Sequence, residues 1–223
     1  PNVSPSPQGI GYWSDAEVMN AVLRGVSPEG AHYYPAFPWN AYNKAEPQDV
    51  ADIVAFMRTL PPSDAESLPH EIPFPFGIRR ALGGWKLLFM QDDWVIAGPL
   101  TEEQERGRYL VEALAHCGEC HTPRNLLGGL RTDAWLSGAP DPAGGDRKSP
   151  NITPAALAWS EDDIAAMLKT GFTPEFDVVA GAMADVVSTT SRLSDEDRSA
   201  IAAYLKVVPP VESGATPAGP GTP

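Results

Sequence analysis

Two thiols and an imidazole stand within five consecutive residues, Cys117-Gly118-Glu119-Cys120-His121. If these residues form one helical turn, both cysteines lie on the same side of it. Each can then form a thioether to a vinyl group of a porphyrin, and the adjacent histidine can bind the iron as an axial ligand. The sequence contains no other cysteine. The motif therefore predicts one covalent haem c, attached through Cys117 and Cys120 and ligated by His121.

Two other chemistries also use a Cys-x-x-Cys pair. A dithiol redox site belongs at a strand-to-helix turn of a βαβ unit, but the segment before Cys117 has a helical pattern. A structural zinc site needs four ligands at paired spacings. His32, His70 and His116 show no such spacing relative to the two cysteines. Both alternatives match the sequence less well than haem attachment.

The ligand on the other side of the iron decides what such a haem does. A methionine thioether favours one-electron transfer, whereas an open position favours ligand binding or peroxide chemistry. Met183 lies among small residues in Ala180-Gly181-Ala182-Met183-Ala184, which we predict to be a loop between two helices. We predict Met183 as the second axial ligand. The alternative is a buried loop methionine.

Four softer candidates could hydrogen-bond the haem propionates. Arg124 and Asn125 follow the motif directly, and Asn151 and Trp159 lie in a loop that we expect to face it. All four side chains carry hydrogen-bond donors. Ordinary loop packing is the alternative for each of them.

Composition bounds the class of protein. The chain has 223 residues and a formal net charge of −13, which suits one large or two small domains and disfavours a nucleic-acid partner. No apolar run reaches the roughly 20 residues of a membrane-spanning helix. The first residues lack the charged start and apolar run of a signal peptide. We expect the sequence to be a mature or truncated form.

The two ends of the chain resemble each other, which indicates an internal repeat. The matching pairs are residues 1–5 with 150–154, 13–17 with 159–163, 25–29 with 171–175, and 61–62 with 209–210. The haem motif lies about 30 residues before residue 150, so its counterpart would precede residue 1. We therefore predict an upstream segment with a second Cys-x-x-Cys-His motif. The alternative is that the first copy has lost its cofactor.

The axial ligand of that upstream haem stays open. Phe37 occupies the place of Met183 in the first copy, and residues 25–50 contain no methionine. His32 could give bis-histidine ligation, or the iron could be five-coordinate. An exposed loop histidine is the alternative interpretation of His32.

Helix signals place these residues in an all-α fold. Ser14 with Glu17, Thr101 with Gln104, and Ser160 with Asp163 form capping boxes, and Gly25 and Gly171 are stop signals. The closing helices show apolar stripes, Val50, Ile53, Val54 and Met57 in one and Ile201, Ala202 and Leu205 in the other. Gly107 would let the helix before the motif cross the closing helix near Tyr204.

We predict four regions along the chain. Residues 1–62 form the C-terminal part of a first domain, 63–100 a proline-rich linker, 101–211 a second domain with the haem, and 212–223 a disordered tail. Residues 84–90 are apolar but too short to cross a membrane. They are expected to pack between the domains, and a docking surface is the alternative.

The residues from Cys117 to Asn125 resemble the second haem site of multihaem cytochrome c subunits. Similar motifs are Tyr34-Pro35-Ala36-Phe37-Pro38, Gly84-Trp85-Lys86-Leu87-Leu88-Phe89, Gly107-Arg108-Tyr109-Leu110-Val111 and Met183-Ala184-Asp185-Val186-Val187. These subunits serve membrane-associated bacterial dehydrogenases for alcohols, sugar acids and aldehydes. Met183 falls at the family's axial methionine. In relatives with phenylalanine at Phe37, the first-domain methionine often stands where this chain has Ala45.

The resemblance implies tandem class I-like cytochrome c domains, the first lacking its N-terminal haem-attachment part in this chain. It implies a periplasmic electron-transfer subunit, not itself a substrate-converting enzyme. Its partners would be a dehydrogenase catalytic subunit and a downstream cytochrome, quinone or oxidase. Membrane association would come through these partners or through a missing segment.

Two rival hypotheses remain. One is a haem oxidoreductase, peroxidase-like or sulfur-oxidising, that uses an open first haem. The other is a structural subunit that has lost one haem and bridges partners.

Overall fold

A computed structural model describes residues 1–74, 76–140 and 148–212. The predicted tail lies outside the described residues except for Glu212. The chain divides into two compact units, Pro1–Asp93 and Trp94–Pro223. None of the helices within the described ranges combines the length and the apolar character needed to cross a bilayer.

The structure is mainly helical, as expected. The first unit contains α1 (Asp15–Arg24), α2 (Trp39–Tyr42), α3 (Pro47–Arg58) and α4 (Ala81–Phe89). The second contains α5 (Glu102–Tyr109), a π-helical turn (Leu110–Leu114), α6 (Gly118–His121), a 3₁₀ turn (Thr132–Ala134), α7 (Glu161–Thr170), α8 (Ala182–Thr190) and α9 (Asp195–Val207). Strands β1 (Ala139–Pro140) and β2 (Lys148–Ser149) pair antiparallel, with Ala139 opposite Ser149. Two-residue strands leave no period-two pattern, so the sequence analysis missed them.

The predicted capping boxes are present. Ser14, Thr101 and Ser160 each accept a hydrogen bond from the backbone N–H three residues later, and the side chain there binds back to the cap. Gly25 and Gly171 end α1 and α7 with left-handed backbone angles. These signals were readable because capping depends only on neighbours in sequence.

The hairpins that follow α1 and α7 have the same hydrogen-bond pattern. Val26 pairs with His32 in the first unit, and Phe172 pairs with Val178 in the second. The N–H group one residue beyond each hairpin bridge donates to the carbonyl of the helix-ending glycine, at 2.8 and 2.9 Å. The sequence repeat is therefore also a repeat of local backbone structure.

The second unit is built around α5 and α9. Helix α9 buries Ile201, Tyr204 and Leu205 in a cluster that also receives Leu110 and Val111 from the turn after α5. The predicted helix crossing is confirmed at Gly107, which is buried. A Cβ at this position would overlap the Ala200 carbonyl oxygen and lie 2.7 Å from the Tyr204 Cβ.

Gly107→Ala is therefore expected to push α5 and α9 apart, because the atoms in the way are backbone and a buried side chain. We expect the free energy of unfolding to fall by about 1–3 kcal/mol, measured by urea denaturation. Gly84→Ala in α4 is the matched control, since nothing lies within 4 Å of a Cβ there. Alanine should stabilise that helix slightly. Equal stability of the two variants would contradict the close crossing.

In the first unit, Ile10, Val18 and Val54 form the buried cluster, with Met57 packed against it. The predicted stripe on α3 is correct for Val50 and Val54, which are buried. It is wrong for Ile53, which is 43% exposed. The apolar periodicity of a sequence predicts which residues share one face of a helix. It does not predict whether another segment packs against the edge of that face.

Lys86 is a buried cation that the sequence did not reveal. Its ammonium donates to the carbonyl oxygens of Arg24 and Gly25 at the end of α1, and lies 4.3 Å from the Trp39 ring centroid. Burial lowers the pKa of Lys86 to about 8. The side chain therefore completes the C-terminus of α1, where the helix dipole favours a positive charge.

Candidate functional site

The Cys-x-x-Cys-His motif forms one helical turn. The backbone N–H groups of Cys120 and His121 donate to the Cys117 carbonyl at 3.3 and 3.0 Å. Cys117 is partly buried, and Cys120 is exposed. Residues three apart on a turn face the same side. The arrangement brings both sulfurs and the imidazole to one edge of a single short element.

A backbone carbonyl orients the His121 ring. Nδ1 lies 2.8 Å from the Pro150 carbonyl oxygen, and because a carbonyl can only accept, Nδ1 carries the proton. The Nε2 lone pair is then available to a metal, an arrangement typical of histidine ligands. Burial lowers the pKa of His121. The imidazole is therefore neutral at pH 7, which is the form that binds metals.

The two alternative chemistries are not supported by the thiols. Burial raises the pKa of the Cys117 thiol to about 12, and both dithiol exchange and zinc binding use the thiolate. Among the residues that the structure describes, no three His, Cys, Asp or Glu side chains form a group that could hold a metal ion. The geometry suits attachment of a prosthetic group better than either alternative.

Met183 lies in the first turn of α8, not in a loop as we predicted. Gly181 precedes this helix with φ 62° and ψ −143°, angles that favour glycine. The prediction failed because residues 185–190 have weak helix propensity and the helix has no side-chain cap. Tertiary contacts hold the helix instead, including a 2.6 Å hydrogen bond from the Thr190 hydroxyl to the Leu168 carbonyl.

One core cluster connects the predicted site residues. Cys117, Trp159 and Met183 are each partly buried and pack against the same set of buried side chains. The turn of the haem motif, residues 117–121, is called the attachment turn. The attachment turn and Met183 thus contact one hydrophobic core, although at least 62 residues separate them in sequence. A haem bound at Cys117 and Cys120 with Met183 as a ligand would need both segments on the same part of the fold.

Apolar side chains around these segments are exposed. Phe172, Phe176 and Val178, in the hairpin before Met183, are at least half exposed, and so are Leu126 and Leu127 just after the motif. Large apolar side chains gathered at a surface usually mark a binding site. The set of donor atoms fits a haem: two thiols, a neutral imidazole and a thioether. The apolar side chains around them suit the porphyrin ring.

Arg124 and Asn125 shape the loop after the motif. Arg124 donates to the Gly128 carbonyl at 3.0 Å and pairs with Glu119 inside the motif. The Asn125 side-chain oxygen accepts from the N–H groups of Leu127 and Gly129 at 2.9 and 3.0 Å. Their contacts with propionates remain predictions.

Asn151 and Trp159 also have partners within the protein. The Asn151 amide donates to the Val211 carbonyl at 2.6 Å, as Asn2 does to the Ser63 carbonyl in the first unit at 2.8 Å. The Trp159 carbonyl accepts from Lys206 at 2.9 Å. The repeated asparagine bond shows that Asn151 ties its loop to the end of α9. The propionate contacts of both side chains stay predictions.

Comparison with known proteins gives the family. Residues 102–205 match the model of cytochrome c oxidase, cbb3-type, subunit III. A diheme cytochrome c-type protein of Cereibacter sphaeroides is 57% identical over 213 residues, which are 95% of this chain and 72% of that protein. The chain belongs to the c-type cytochromes.

Other relatives of this cytochrome are dehydrogenase subunits. The fructose dehydrogenase cytochrome subunit of Gluconobacter japonicus is 40% identical over 96% of the chain and 46% of its own length. The cytochrome c subunit of the quinone alcohol dehydrogenase of Gluconobacter oxydans is 34% identical over 96% and 47%. The cytochrome thus spans about half the length of these subunits. Their names support the resemblance stated from the sequence.

A buried ring fixes the attachment turn of the cytochrome. Trp135, which is 6% exposed, lies against Gly118 between the two cysteines, and a Cβ on Gly118 would overlap its ring. The Trp135 indole N–H donates to the Tyr204 hydroxyl at 3.3 Å. Packing therefore favours glycine at the first variable position of the motif.

Gly118→Ala is expected to displace Trp135 and to lower the free energy of unfolding of the holoprotein by about 1–3 kcal/mol. Urea denaturation followed in the haem absorption would measure the loss. Adding Trp135→Phe should recover part of it, because the smaller ring makes room for the new methyl group. Strictly additive losses in the double variant would contradict the proposed overlap.

Glu112 is a residue of this site that sequence reasoning missed. Its carboxylate is buried and accepts hydrogen bonds from the Val95 and Ile96 N–H groups and from the Tyr204 hydroxyl. The only signal in the sequence was a lone acidic residue in Leu110-Val111-Glu112-Ala113-Leu114. A charge in an apolar helical run is worth noting, because buried charges need partners.

Proposed function

We propose that this cytochrome is a periplasmic electron-transfer subunit that passes single electrons from a dehydrogenase catalytic subunit to a respiratory acceptor. The acceptor would be another cytochrome, a quinone or an oxidase. The observations that carry the proposal are the orientation of His121 by the Pro150 carbonyl and the packing of Cys117 and Met183 against one hydrophobic core. The dehydrogenase subunits among the relatives support the choice of donor.

Four residues would hold the haem. Cys117 and Cys120 would bind it through thioethers, His121 through Nε2 and Met183 through its sulfur. A haem with these ligands supplies a reversible one-electron couple. The Pro150 carbonyl keeps the His121 ring in the ligating tautomer. The exposed Phe172 and Phe176 would cover the porphyrin and exclude water.

The first unit would contain the C-terminal part of another domain of the same kind. The protein would then have tandem class I-like cytochrome c domains. Its α3 exposes Ile53 and Phe56 by 43% and 64%, whereas the matching Ile201 and Tyr204 of α9 are 3% and 0% exposed. In the second unit, α5 covers that face. We propose that an upstream helix with its own haem motif covers α3.

Ligation at this upstream haem would differ from that of the second unit. Phe37 stands in the place of Met183, and the position at which relatives often carry methionine is Ala45. The His32 ring packs against Gly83, with its Nε2 3.0 Å from where a Cβ on Gly83 would lie. The buried His32 Nδ1 has no hydrogen-bond partner among the residues that the structure describes. A bis-histidine or five-coordinate iron is consistent with this set of residues.

Rapid mixing tests the proposed direction of transfer. The oxidised full-length holoprotein is mixed with its dehydrogenase partner, isolated by co-purification and reduced by its substrate. We expect haem reduction in one-electron steps, and reoxidation when a quinone or cytochrome acceptor follows. Rapid turnover of peroxide or thiosulfate by the isolated cytochrome would favour the rival haem oxidoreductase. The intact mass and an iron-to-polypeptide ratio of two would support the upstream haem.

A further inference from the structure

The second unit holds a carboxylate inside its apolar core. Glu112 is 1% exposed and lies in the π-helical turn that precedes the attachment turn. Its oxygens accept from the N–H groups of Val95 at 2.6 Å and Ile96 at 3.1 Å, and from the Tyr204 hydroxyl at 2.6 Å. Two of these partners are backbone N–H groups, which can only donate, and together with the Tyr204 hydroxyl they form the set of partners that suits a carboxylate.

A buried charge is costly unless nearby groups compensate it. Arg108 lies one helical turn earlier and donates to the Ile96 carbonyl at 3.2 Å. Its side chain is 14% exposed and lies 3.9 Å from Glu105, whose carboxylate is mainly in solvent. Arg108 and Glu112 therefore bind the same backbone segment from one helix face. A neutral side chain of similar volume at position 112 would avoid the desolvation cost.

A short series of contacts connects Glu112 with the attachment turn. The Tyr204 hydroxyl, which donates to Glu112, accepts from the Trp135 indole N–H at 3.3 Å. The Trp135 ring lies against Gly118. Burial, together with the Glu112 charge, raises the pKa of Tyr204, so its hydroxyl stays protonated and keeps donating. Trp135 and Tyr204 are both buried, so bulk water does not enter between the anion and the turn.

We propose that Glu112 is a fixed buried anion that lowers the reduction potential of the haem attached at Cys117 and Cys120. Reduction adds an electron to the iron, and a negative charge nearby opposes that addition. Salt screens a buried charge much less than a surface charge. Glu112 would thus act through its charge, without contact with the iron ligands. The inference rests on the proposed haem at this motif.

The test compares Glu112→Gln, which removes the charge at constant size, with Glu112→Asp, which keeps it. Potentials of the full-length holoproteins are measured by spectroelectrochemical titration at fixed pH. We expect the midpoint of the second-unit haem to rise in Glu112→Gln and to stay near the parent value in Glu112→Asp. The difference should persist when the ionic strength is raised.

Two results would overturn the inference. An unchanged potential in Glu112→Gln, with covalent haem retained, would show that the charge has no effect. Equal shifts in both variants would make the residue purely structural. A parent protein without haem at the motif would instead refute the proposed function, and the mass of the proteolytic peptide that contains Cys117 and Cys120 distinguishes that case.

An infrared measurement covers the case in which Glu112→Gln does not fold. The reduced-minus-oxidised difference spectrum of the unmodified holoprotein should contain carboxylate bands and no band of a buried protonated carboxyl group. A protonated carboxyl band that grows on reduction would show that Glu112 takes up a proton and is not a fixed charge. That result would also overturn the inference.

Discussion

Replacing Cys117 and Cys120 together by alanine is expected to release one haem per polypeptide into acidified organic solvent. In the parent protein that haem should stay with the denatured chain, because thioether bonds survive unfolding, whereas axial ligation by His121 does not. The absorbance of the extracted and protein-bound fractions measures the result. This is the largest change expected from any substitution in the chain, since both thiols of the sequence are removed.

The two single variants are the controls for this experiment. Cys117→Ala and Cys120→Ala each leave one thioether, so the haem should remain with the polypeptide after extraction. The geometry of the turn supports both bonds, since Cys120 is exposed and Cys117 lies at the edge of the core. Retention of the haem by the double variant would refute covalent attachment at this motif.

Met183→Ala is expected to open the iron of the second unit to external ligands. In the parent, the thioether should occupy the sixth position, so that the reduced protein binds no carbon monoxide at this haem. In the variant, binding should reach one carbon monoxide per second-unit haem, and the potential should fall because a ligand that favours ferrous iron is lost. Optical titration with carbon monoxide measures the change against the parent.

Met167→Leu provides the matched control for this variant. Met167 lies on α7 and also packs against the core cluster, but its role there is packing. A leucine of similar volume should leave ligand binding unchanged and cost less than about 1.5 kcal/mol of stability. Carbon monoxide binding to the unmutated protein at this haem, as tight as in Met183→Ala, would exclude Met183 as the ligand.

Features encoded by near neighbours could be predicted from the sequence. The capping boxes at Ser14, Thr101 and Ser160 and the helix-ending Gly25 and Gly171 are all found as predicted, because each depends on a few consecutive residues. The turn of the haem motif belongs to this group. The close approach of Gly107 to α9 is the exception among the distant contacts, because glycine is the residue type without a side chain.

Features set by distant contacts could not be predicted. The helix that carries Met183 forms in spite of weak local propensity, and Ile53 is exposed although it continues an apolar stripe. The partners of Glu112 come from segments 16 and 92 residues away in sequence. Only the packed structure reveals that this acidic residue is an internal group.

The hairpins after α1 and α7 have the same backbone hydrogen bonds in the two halves of the chain, but they are followed by different side chains. The bridges Val26–His32 and Phe172–Val178 are alike, yet the segment beyond carries Phe37 in one half and Met183 in the other. The backbone differs beyond the hairpins as well, because Phe37 precedes α2 whereas Met183 stands inside α8. The same hairpin therefore supports two different continuations, so that this position can change in one half of the chain independently of the other.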